Sequence, residues 1–113
     1  YSREDVVRNI NNSSLLTGAF LTGEYEMLGD FLDDRIHQPF RSQLLPELFD
    51  VIEAGRKAGA LGGWLSGSGS TICCVTLKRA VSVAQAMKRT FNRKRENCQV
   101  KILAANNDGV VFL

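Results

Sequence analysis

Apolar residues recur at helical spacing over the first third of the chain. Val6, Val7 and Ile10 form one stripe, and a Ser2–Asp5 pair typical of a capping box precedes it, which predicts a helix that begins at about residue 3. The polar run 11–14 is expected to interrupt this helix. Beyond the run, further positions at steps of three and four share a helical face, on one helix or on two shorter ones: Leu16, Phe20, Gly23, Met27 and Phe31.

A second amphipathic segment follows a polar stretch. Residues 33–41 carry mixed charge, and Pro39 disfavours helical geometry at Gln38, so this stretch is expected to be a loop or the start of a helix. From residue 43 onward a new helical stripe is predicted, with Pro46 in its first turn and the glycines of 55–59 at its end. Its apolar members are Leu45, Leu48, Phe49 and Ile52.

The pattern changes at residue 60 from helical to small, apolar and β-branched. We predict a strand over 60–65, a tight loop of alternating serine and glycine over 66–70, and a second strand over 71–77. We call residues 66–70 the glycine-rich loop.

The last third of the chain predicts one more helix and two more strands. Ala80, Ala84, Met87 and Phe91 share a helical face. Segments 99–105 and 110–113 are expected to be strands on either side of a tight Asp108–Gly109 turn. Helices followed by strands in the order β, β, α, β, β predict an α+β sandwich with the helices packed on one face of the sheet.

The composition and charge of the chain mainly exclude classes of function. A length of 113 residues with 44% hydrophobic composition predicts one compact domain, residues 1–113. A net charge of +2 does not predict a nucleic-acid or membrane partner, and no apolar stretch approaches the roughly 20 residues of a membrane-spanning helix. Three cysteines without a C-x-x-C pair favour a reducing cytoplasm, and no metal site is predicted. Because the chain begins at Tyr1, we expect it to be a piece of a longer polypeptide.

The segment 59–71 is the strongest candidate for chemistry. Glycines let backbone N–H groups approach an anion, and serines add hydroxyl donors, so this segment is suited to cradle a phosphate group. Known phosphate-binding patterns do not fit, because Ser68 stands where a P-loop requires lysine and no G-x-G-x-x-G occurs. No G-x-S-x-G pattern supports a nucleophilic serine either. A simple hairpin connector is the alternative interpretation.

Two motifs resemble a known enzyme family. Gly-Gly-Trp-Leu-Ser-Gly-Ser-Gly-Ser-Thr at 62–71 closely resembles the third, C-terminal glycine-rich motif of the GHMP small-molecule kinases. Within that superfamily, Asp-Arg-Ile-His-Gln-Pro-Phe-Arg at 34–41, followed by Leu-Leu-Pro at 44–46, is similar to the homoserine kinase version. The resemblance covers residues 30–77 well and the helix and strands after them more loosely, and residues 1–29 match only as a helical region. One departure is Ser70, which stands where the family usually has proline.

The resemblance implies a fold and a reaction. The fold would be a ferredoxin-like two-layer α/β sandwich with an antiparallel sheet, whose first strand would lie before Tyr1. The complete enzyme would use ATP and Mg²⁺ to phosphorylate the hydroxyl of homoserine, a step of threonine biosynthesis. The nucleotide-binding N-terminal domain is absent here, so this fragment is expected to hold no catalytic residue, no bound cofactor and no activity of its own.

The resemblance also assigns roles to individual residues. Arg41 would grip the carboxylate of homoserine with its guanidinium fork, with Arg35 a weaker candidate for the same work and a surface arginine the alternative. His37 would contact substrate or brace its loop, while Asp33 and Asp34 are expected to form a solvated loop face. The loop placed near substrate and phosphate consists of Ser66, Gly67, Ser68, Gly69 and Ser70.

Three other functions remain open at this point. Seven basic residues fall within 78–95, as in an RNA-binding module, but the candidate strands 71–77 and 99–105 lack the aromatic residues on which bases stack. A non-catalytic ferredoxin-like regulatory or ligand-binding domain is the second alternative, and a different GHMP kinase is the third. The expected partners are homoserine and the N-terminal domain of the same chain, with a homodimer left open and with neither nucleic acid nor a membrane expected.

Overall fold

The computed structural model of the chain describes residues 1–93 and 97–109. Five α-helices occur in these ranges: α1 (Arg3–Thr22), α2 (Leu28–Phe31), α3 (Gln38–Arg41), α4 (Leu48–Lys57) and α5 (Ala80–Asn92). A short 3₁₀ helix at Tyr25–Met27 lies between α1 and α2. Two strands, β1 (Gly62–Leu65) and β2 (Ile72–Val75), precede α5. No helix in the described part of the chain is both long and apolar enough to cross a membrane.

Helix α1 begins where the sequence predicted and runs further than expected. Ser2 and Asp5 form the capping box, with the Asp5 N–H donating to Ser2 Oγ at 3.1 Å and the Ser2 N–H donating to Asp5 Oδ2 at 2.7 Å. The expected interruption at 11–14 is wrong. Ser14 and Thr17 donate their hydroxyls to the carbonyls of Ile10 and Ser13, four residues earlier, so these polar side chains are satisfied inside the helix.

The helical stripe predicted from Leu16 to Phe31 is divided between α1 and α2, because α1 ends with Gly23 as its C-cap. This residue has φ +77°, the left-handed conformation that glycine adopts without strain at a helix C-terminus. The chain then continues through the 3₁₀ helix into α2. Phe20 and Met27, which were expected to share a helical face, are about half exposed. Phe20 instead contacts Tyr25 edge to face, with ring centroids 6.0 Å apart.

The core lies between α4 and the sheet. Leu45, Leu48 and Leu65 form a buried cluster, and three partly buried residues pack against it: Ile52, Ile72 and Phe91. The predicted stripe is confirmed at Leu48 and Ile52, but Leu45, although buried, lies before α4. Phe49 is half exposed, and Val51 is buried in its place. Pro46 does not belong to the first turn of α4, since Glu47 is the N-cap and the helix begins at Leu48.

Strands β1 and β2 form an antiparallel hairpin, as predicted, with Gly62 opposite Val75 and Leu65 opposite Ile72. The close packing of α4 on this hairpin depends on glycine, because a Cβ at Gly55 or Gly63 would lie only 2.7 Å from Cys74 Sγ. Burial, together with the neighbouring Cys73, raises the pKa of the Cys74 thiol to about 11. Cys74 is therefore a partly buried residue that packs between α4 and the hairpin.

The α+β class is confirmed, but the sheet of the described residues has two strands. The expected strand at 99–105 is not formed, and Leu103 is 85% exposed. An apolar alternation becomes a strand only when a neighbouring strand pairs with its backbone and a layer covers one face, and the described part of the chain provides neither for residues 99–105. Its expected hairpin partner, 110–113, lies outside the described residues.

Candidate functional site

The site is organised by the carboxylate of Asp34. Its Oδ1 accepts hydrogen bonds from Asn9 Nδ2 at 2.8 Å and from the N–H groups of Ile36 at 2.8 Å and His37 at 3.0 Å. Its Oδ2 accepts the N–H of Gln38 at 2.8 Å. Partial burial opposes ionisation, but these four hydrogen bonds outweigh it and hold the pKa of Asp34 below its ordinary value. The carboxylate thus fixes the start of α3 against α1.

Helix α3 carries the predicted substrate residues to the glycine-rich loop. Arg41 Nη2 donates to the carbonyl oxygen of Ser68, and His37 Nε2 lies 3.3 Å from the carbonyl oxygen of Gly67. The Nε of Arg41 is buried and has no hydrogen-bond acceptor in the described part of the chain. Two motifs that lie about 27–30 residues apart in the sequence therefore meet at one place.

The backbone of the glycine-rich loop requires glycine. Gly67 has φ +57° and Gly69 has φ +99°, conformations that L side chains rarely adopt. The Ser66 N–H donates to the Thr71 carbonyl at 2.9 Å, and the Gly69 N–H donates to the Ser66 carbonyl at 3.2 Å, which closes the turn. Three other N–H groups of the loop have no acceptor within residues 1–93 and 97–109, and their residues are exposed: those of Gly67, Ser68 and Ser70.

Arg35 does not join Arg41. Its Nε donates to Asp33 Oδ2 at 3.0 Å, and the same oxygen accepts from Arg8 Nε at 3.0 Å. All three side chains are between two-fifths and one-half exposed, so this cluster lies at the surface beside α1. Asp33 fits the expectation of a solvated loop face, whereas for Asp34 that expectation is wrong.

Two residues that organise the site were missed by sequence reasoning: Asp34 and Gln38. Gln38 is only 5% exposed, and its Oε1 accepts the N–H of Leu65 at 2.8 Å. A signal for Asp34 existed, since an aspartate a few residues before a helix often accepts backbone N–H groups. The partner of Gln38 lies 27 residues away, and nothing in the local pattern indicated it.

The Asp34 network predicts an acid-sensitive stability. Because the folded pKa of Asp34 is lowered, its contribution is present above the ordinary value of 3.8 and is lost as the pH falls through the folded pKa. We expect Asp34→Asn to lower the free energy of unfolding by about 1–3 kcal/mol at neutral pH, since it removes the acceptor for the Gln38 N–H. The variant should also lose less stability than wild type on acidification below about pH 4. Urea unfolding at pH 7 and pH 3 measures both effects.

The matched control for this experiment is Asp33→Asn. Asp33 lies next in sequence and also pairs with neighbouring residues, but its ion pairs are half exposed and exposed pairs contribute little. We therefore expect a change below about 0.5 kcal/mol in this variant. Equal losses in the two variants would contradict the organising role of Asp34.

Comparison with known proteins places this geometry in a family. The family described as GHMP kinases C terminal matches residues 16–93. A homoserine kinase of Moorella thermoacetica is 41% identical over 110 residues, which is 97% of this chain and 37% of that protein. A homoserine kinase of Aquifex aeolicus is 35% identical over 95% of this chain and 36% of that protein.

A solved structure shows the same fold. The crystal structure of homoserine kinase from Cytophaga hutchinsonii superposes with a TM-score of 0.76 and 33% sequence identity, covering 82% of this chain and 30% of that one. The chain thus spans a little over a third of the length of the curated relatives it matches. Since the family match includes α3, the glycine-rich loop and the core that joins them, the chain belongs to the family of GHMP kinase C-terminal domains.

Proposed function

We propose that residues 1–113 are the substrate-binding, C-terminal part of a homoserine kinase that transfers the terminal phosphoryl group of ATP to the hydroxyl of L-homoserine. The observation that carries this proposal is the contact of α3 with the glycine-rich loop, through Arg41 and Ser68 and through His37 and Gly67. A cationic fork beside a loop of unpaired N–H groups suits a substrate with a carboxylate at one end and a phosphorylated hydroxyl at the other. The names of the relatives point to the same substrate.

Arg41 is the proposed carboxylate clamp. Its guanidinium donates to the Ser68 carbonyl through Nη2, while the buried Nε has no acceptor among the described residues. A buried N–H without an acceptor is costly, and a substrate carboxylate would supply one. Planar, bidentate pairing with a carboxylate is the interaction that arginine makes best. Arg35, engaged with Asp33, is proposed to take no direct part.

The glycine-rich loop is the proposed neighbour of the phosphoryl group. Neighbouring backbone N–H groups without acceptors can bind an anion, and the hydroxyls of Ser66, Ser68 and Ser70 add further donors. The contact from His37 to the Gly67 carbonyl braces the loop without occupying these N–H groups. The loop would thereby stabilise negative charge on the transferred group.

The described residues do not supply a metal site. Within 1–93 and 97–109, no group of three or more His, Cys, Asp and Glu side chains is placed to hold a metal ion. A Mg²⁺ ion accompanying ATP would therefore take its ligands from other parts of the full-length enzyme. The same holds for the catalytic residues and for most of the nucleotide site, which we assign to an N-terminal domain of the same polypeptide.

The contribution of this chain to phosphoryl transfer would be positioning and electrostatic stabilisation. Phosphoryl transfer needs little covalent participation by the protein when nucleophile and phosphate are held in line. Arg41 would fix the carboxylate end of the substrate, so its hydroxyl would lie at a set distance from the glycine-rich loop. We propose the cytoplasm, where ATP is available, as the compartment of the reaction.

We expect the full-length protein to release ADP in the presence of homoserine, and the isolated chain to show no turnover and no tight ATP binding. A coupled ADP-release assay on both proteins measures this, with product identified as O-phosphohomoserine by mass spectrometry. Serine, threonine and a hydroxyl substrate without a carboxylate serve as comparison substrates. Preference for a substrate without a carboxylate would point to a different GHMP kinase, and turnover by the isolated chain would show that the catalytic residues have been misplaced.

A further inference from the structure

We propose that Gln38 is a positioning residue whose side-chain oxygen holds the start of the glycine-rich loop in place relative to Arg41. The inference rests on the proposed function, in which Arg41 and this loop act on the same substrate. It adds a residue that touches neither substrate nor phosphate. Gln38 would act by setting the position of the glycine-rich loop relative to Arg41, the two groups proposed to contact the substrate.

The first observation is a buried hydrogen bond. Gln38 is 5% exposed, and its Oε1 accepts the N–H of Leu65 at 2.8 Å. Leu65 is the last residue of β1, directly before Ser66. Its N–H points away from β2, where a third strand would otherwise be needed to supply an acceptor. The side chain of Gln38 provides that acceptor, so it fixes the backbone at the point where the loop begins.

The second observation is that Gln38 is itself held. Its own N–H donates to Asp34 Oδ2 at 2.8 Å, and the same carboxylate is anchored to α1 through Asn9. The hydrogen bonds thus form a continuous path from α1 through Asp34 and Gln38 to Leu65. Because the backbone of Gln38 is fixed in this way, its side chain can set the distance between α3 and Leu65.

The third observation is the position of Arg41, one turn further along α3. Residues three apart on a helix lie on the same side. Here Gln38 contacts Leu65, the residue directly before the glycine-rich loop, and Arg41 contacts Ser68 within it. Helix α3 therefore holds the glycine-rich loop at two points. Loss of the Gln38–Leu65 hydrogen bond would leave the loop free to shift relative to the guanidinium. A displacement of about 1 Å among substrate-binding groups is enough to lower catalytic efficiency by one to two orders of magnitude.

A purely structural role for Gln38 makes different predictions. If Gln38 only satisfied a buried N–H, its loss would lower stability without affecting one substrate more than the other. A positioning role requires a selective effect on homoserine, recovery by any side chain that restores the oxygen, and an effect that depends on Arg41. These three readouts separate the two roles.

The test compares Gln38→Met, which keeps the volume but lacks the acceptor, with Gln38→Glu, which keeps an oxygen at the same reach. In the full-length protein we expect Gln38→Met to raise the KM for homoserine by about tenfold with the KM for ATP within about twofold, and Gln38→Glu to recover most of that loss. Gln43→Met is the matched control, since Gln43 lies on the next turn and is exposed. In an Arg41→Ala background, Gln38→Met should have little further effect on homoserine KM, because coupled residues are not additive.

Hydrogen exchange of the peptide covering residues 62–72 gives a readout that does not need turnover. We expect faster exchange at the loop in Gln38→Met, wild-type exchange in Gln43→Met, and restored protection in Gln38→Glu.

Should Gln38→Met fail to fold, Gln38→Asn keeps the amide but shortens its reach by one methylene and is expected to behave in the same way. An unchanged exchange pattern, an equal rise in both KM values, or additivity with Arg41→Ala would each overturn the inference. Absence of homoserine turnover by the wild type would instead refute the proposed function, and the exchange measurement would still decide the role of Gln38.

Discussion

Replacing Arg41 by alanine in the full-length protein is expected to raise the KM for homoserine by about 10- to 150-fold, with the KM for ATP nearly unchanged. The magnitude corresponds to the loss of a charge-assisted interaction of about 1.5–3 kcal/mol. Its physical reason is the position of the guanidinium, which lies against the glycine-rich loop and has a buried Nε that lacks an acceptor in the described part of the chain. Steady-state kinetics with each substrate varied in turn measures the effect.

Two further variants make this prediction specific. Arg41→Lys should recover only part of the loss, since an ammonium group keeps the charge but not the planar fork. Arg35→Ala is the comparison within the same segment, and we expect a change of no more than about twofold, because that guanidinium pairs with Asp33 at the surface. A wild-type homoserine KM in Arg41→Ala, or an equal rise for both substrates, would remove the reason for calling Arg41 a carboxylate clamp.

Gly69→Val is expected to lower kcat by at least about tenfold, equivalent to roughly 1.4 kcal/mol of transition-state stabilisation. Gly69 has φ +99°, which a β-branched residue adopts only with strain, and its Cβ would lie 3.4 Å from Leu65 Cδ1 and 3.9 Å from Arg41 Nη2. The loop would have to change its path, which would displace its N–H groups relative to Arg41. Turnover by the full-length enzyme at saturating substrate measures the effect.

Gly23→Val is the control matched for backbone strain. Gly23 has φ +77° and, like Gly69, is in the left-handed region, but it caps α1 and a Cβ there would meet nothing within 4 Å. Both variants should lose stability, and only Gly69→Val should lose turnover beyond the loss of folded protein. If circular dichroism shows that Gly69→Val unfolds globally, or if the two variants lose activity equally, the glycine-rich loop is only a connector between β1 and β2.

Several local features of the fold could be predicted because they depend on residues close in sequence. The start of α1 follows from Ser2 and Asp5, whose side chains cap each other's backbone. The β1–β2 hairpin follows from two short strands joined by residues 66–70, where glycine permits the required backbone angles. Helices α4 and α5 follow from their apolar spacing. The composition and motif of 62–71 also singled out the segment that the structure brings together with Arg41 and His37.

Other features were predicted wrongly from the sequence because they depend on contacts with distant parts of the chain. The polar run 11–14 did not break α1, since Asn12 donates to the Asp33 carbonyl at 3.0 Å and nearby hydroxyls bond within the helix. The strand expected at 99–105 has no pairing partner among the described residues, and its predicted partner, 110–113, lies outside them.

The sequence by itself determined the start of α1, helices α4 and α5 in outline, the hairpin and the two motifs, because capping, apolar periodicity and glycine conformation act over a few residues. Only the tertiary structure decided which charged and polar side chains do what. Arg35 and Arg41 are equivalent by charge, yet the first pairs with Asp33 and the second reaches Ser68. Asp34 and Gln38 look like ordinary loop residues, yet they connect α1 to Leu65. A hydrogen bond is set by the distance and direction of two groups in space, and for partners about 25 to 30 residues apart these are fixed only when the helices have packed on the sheet.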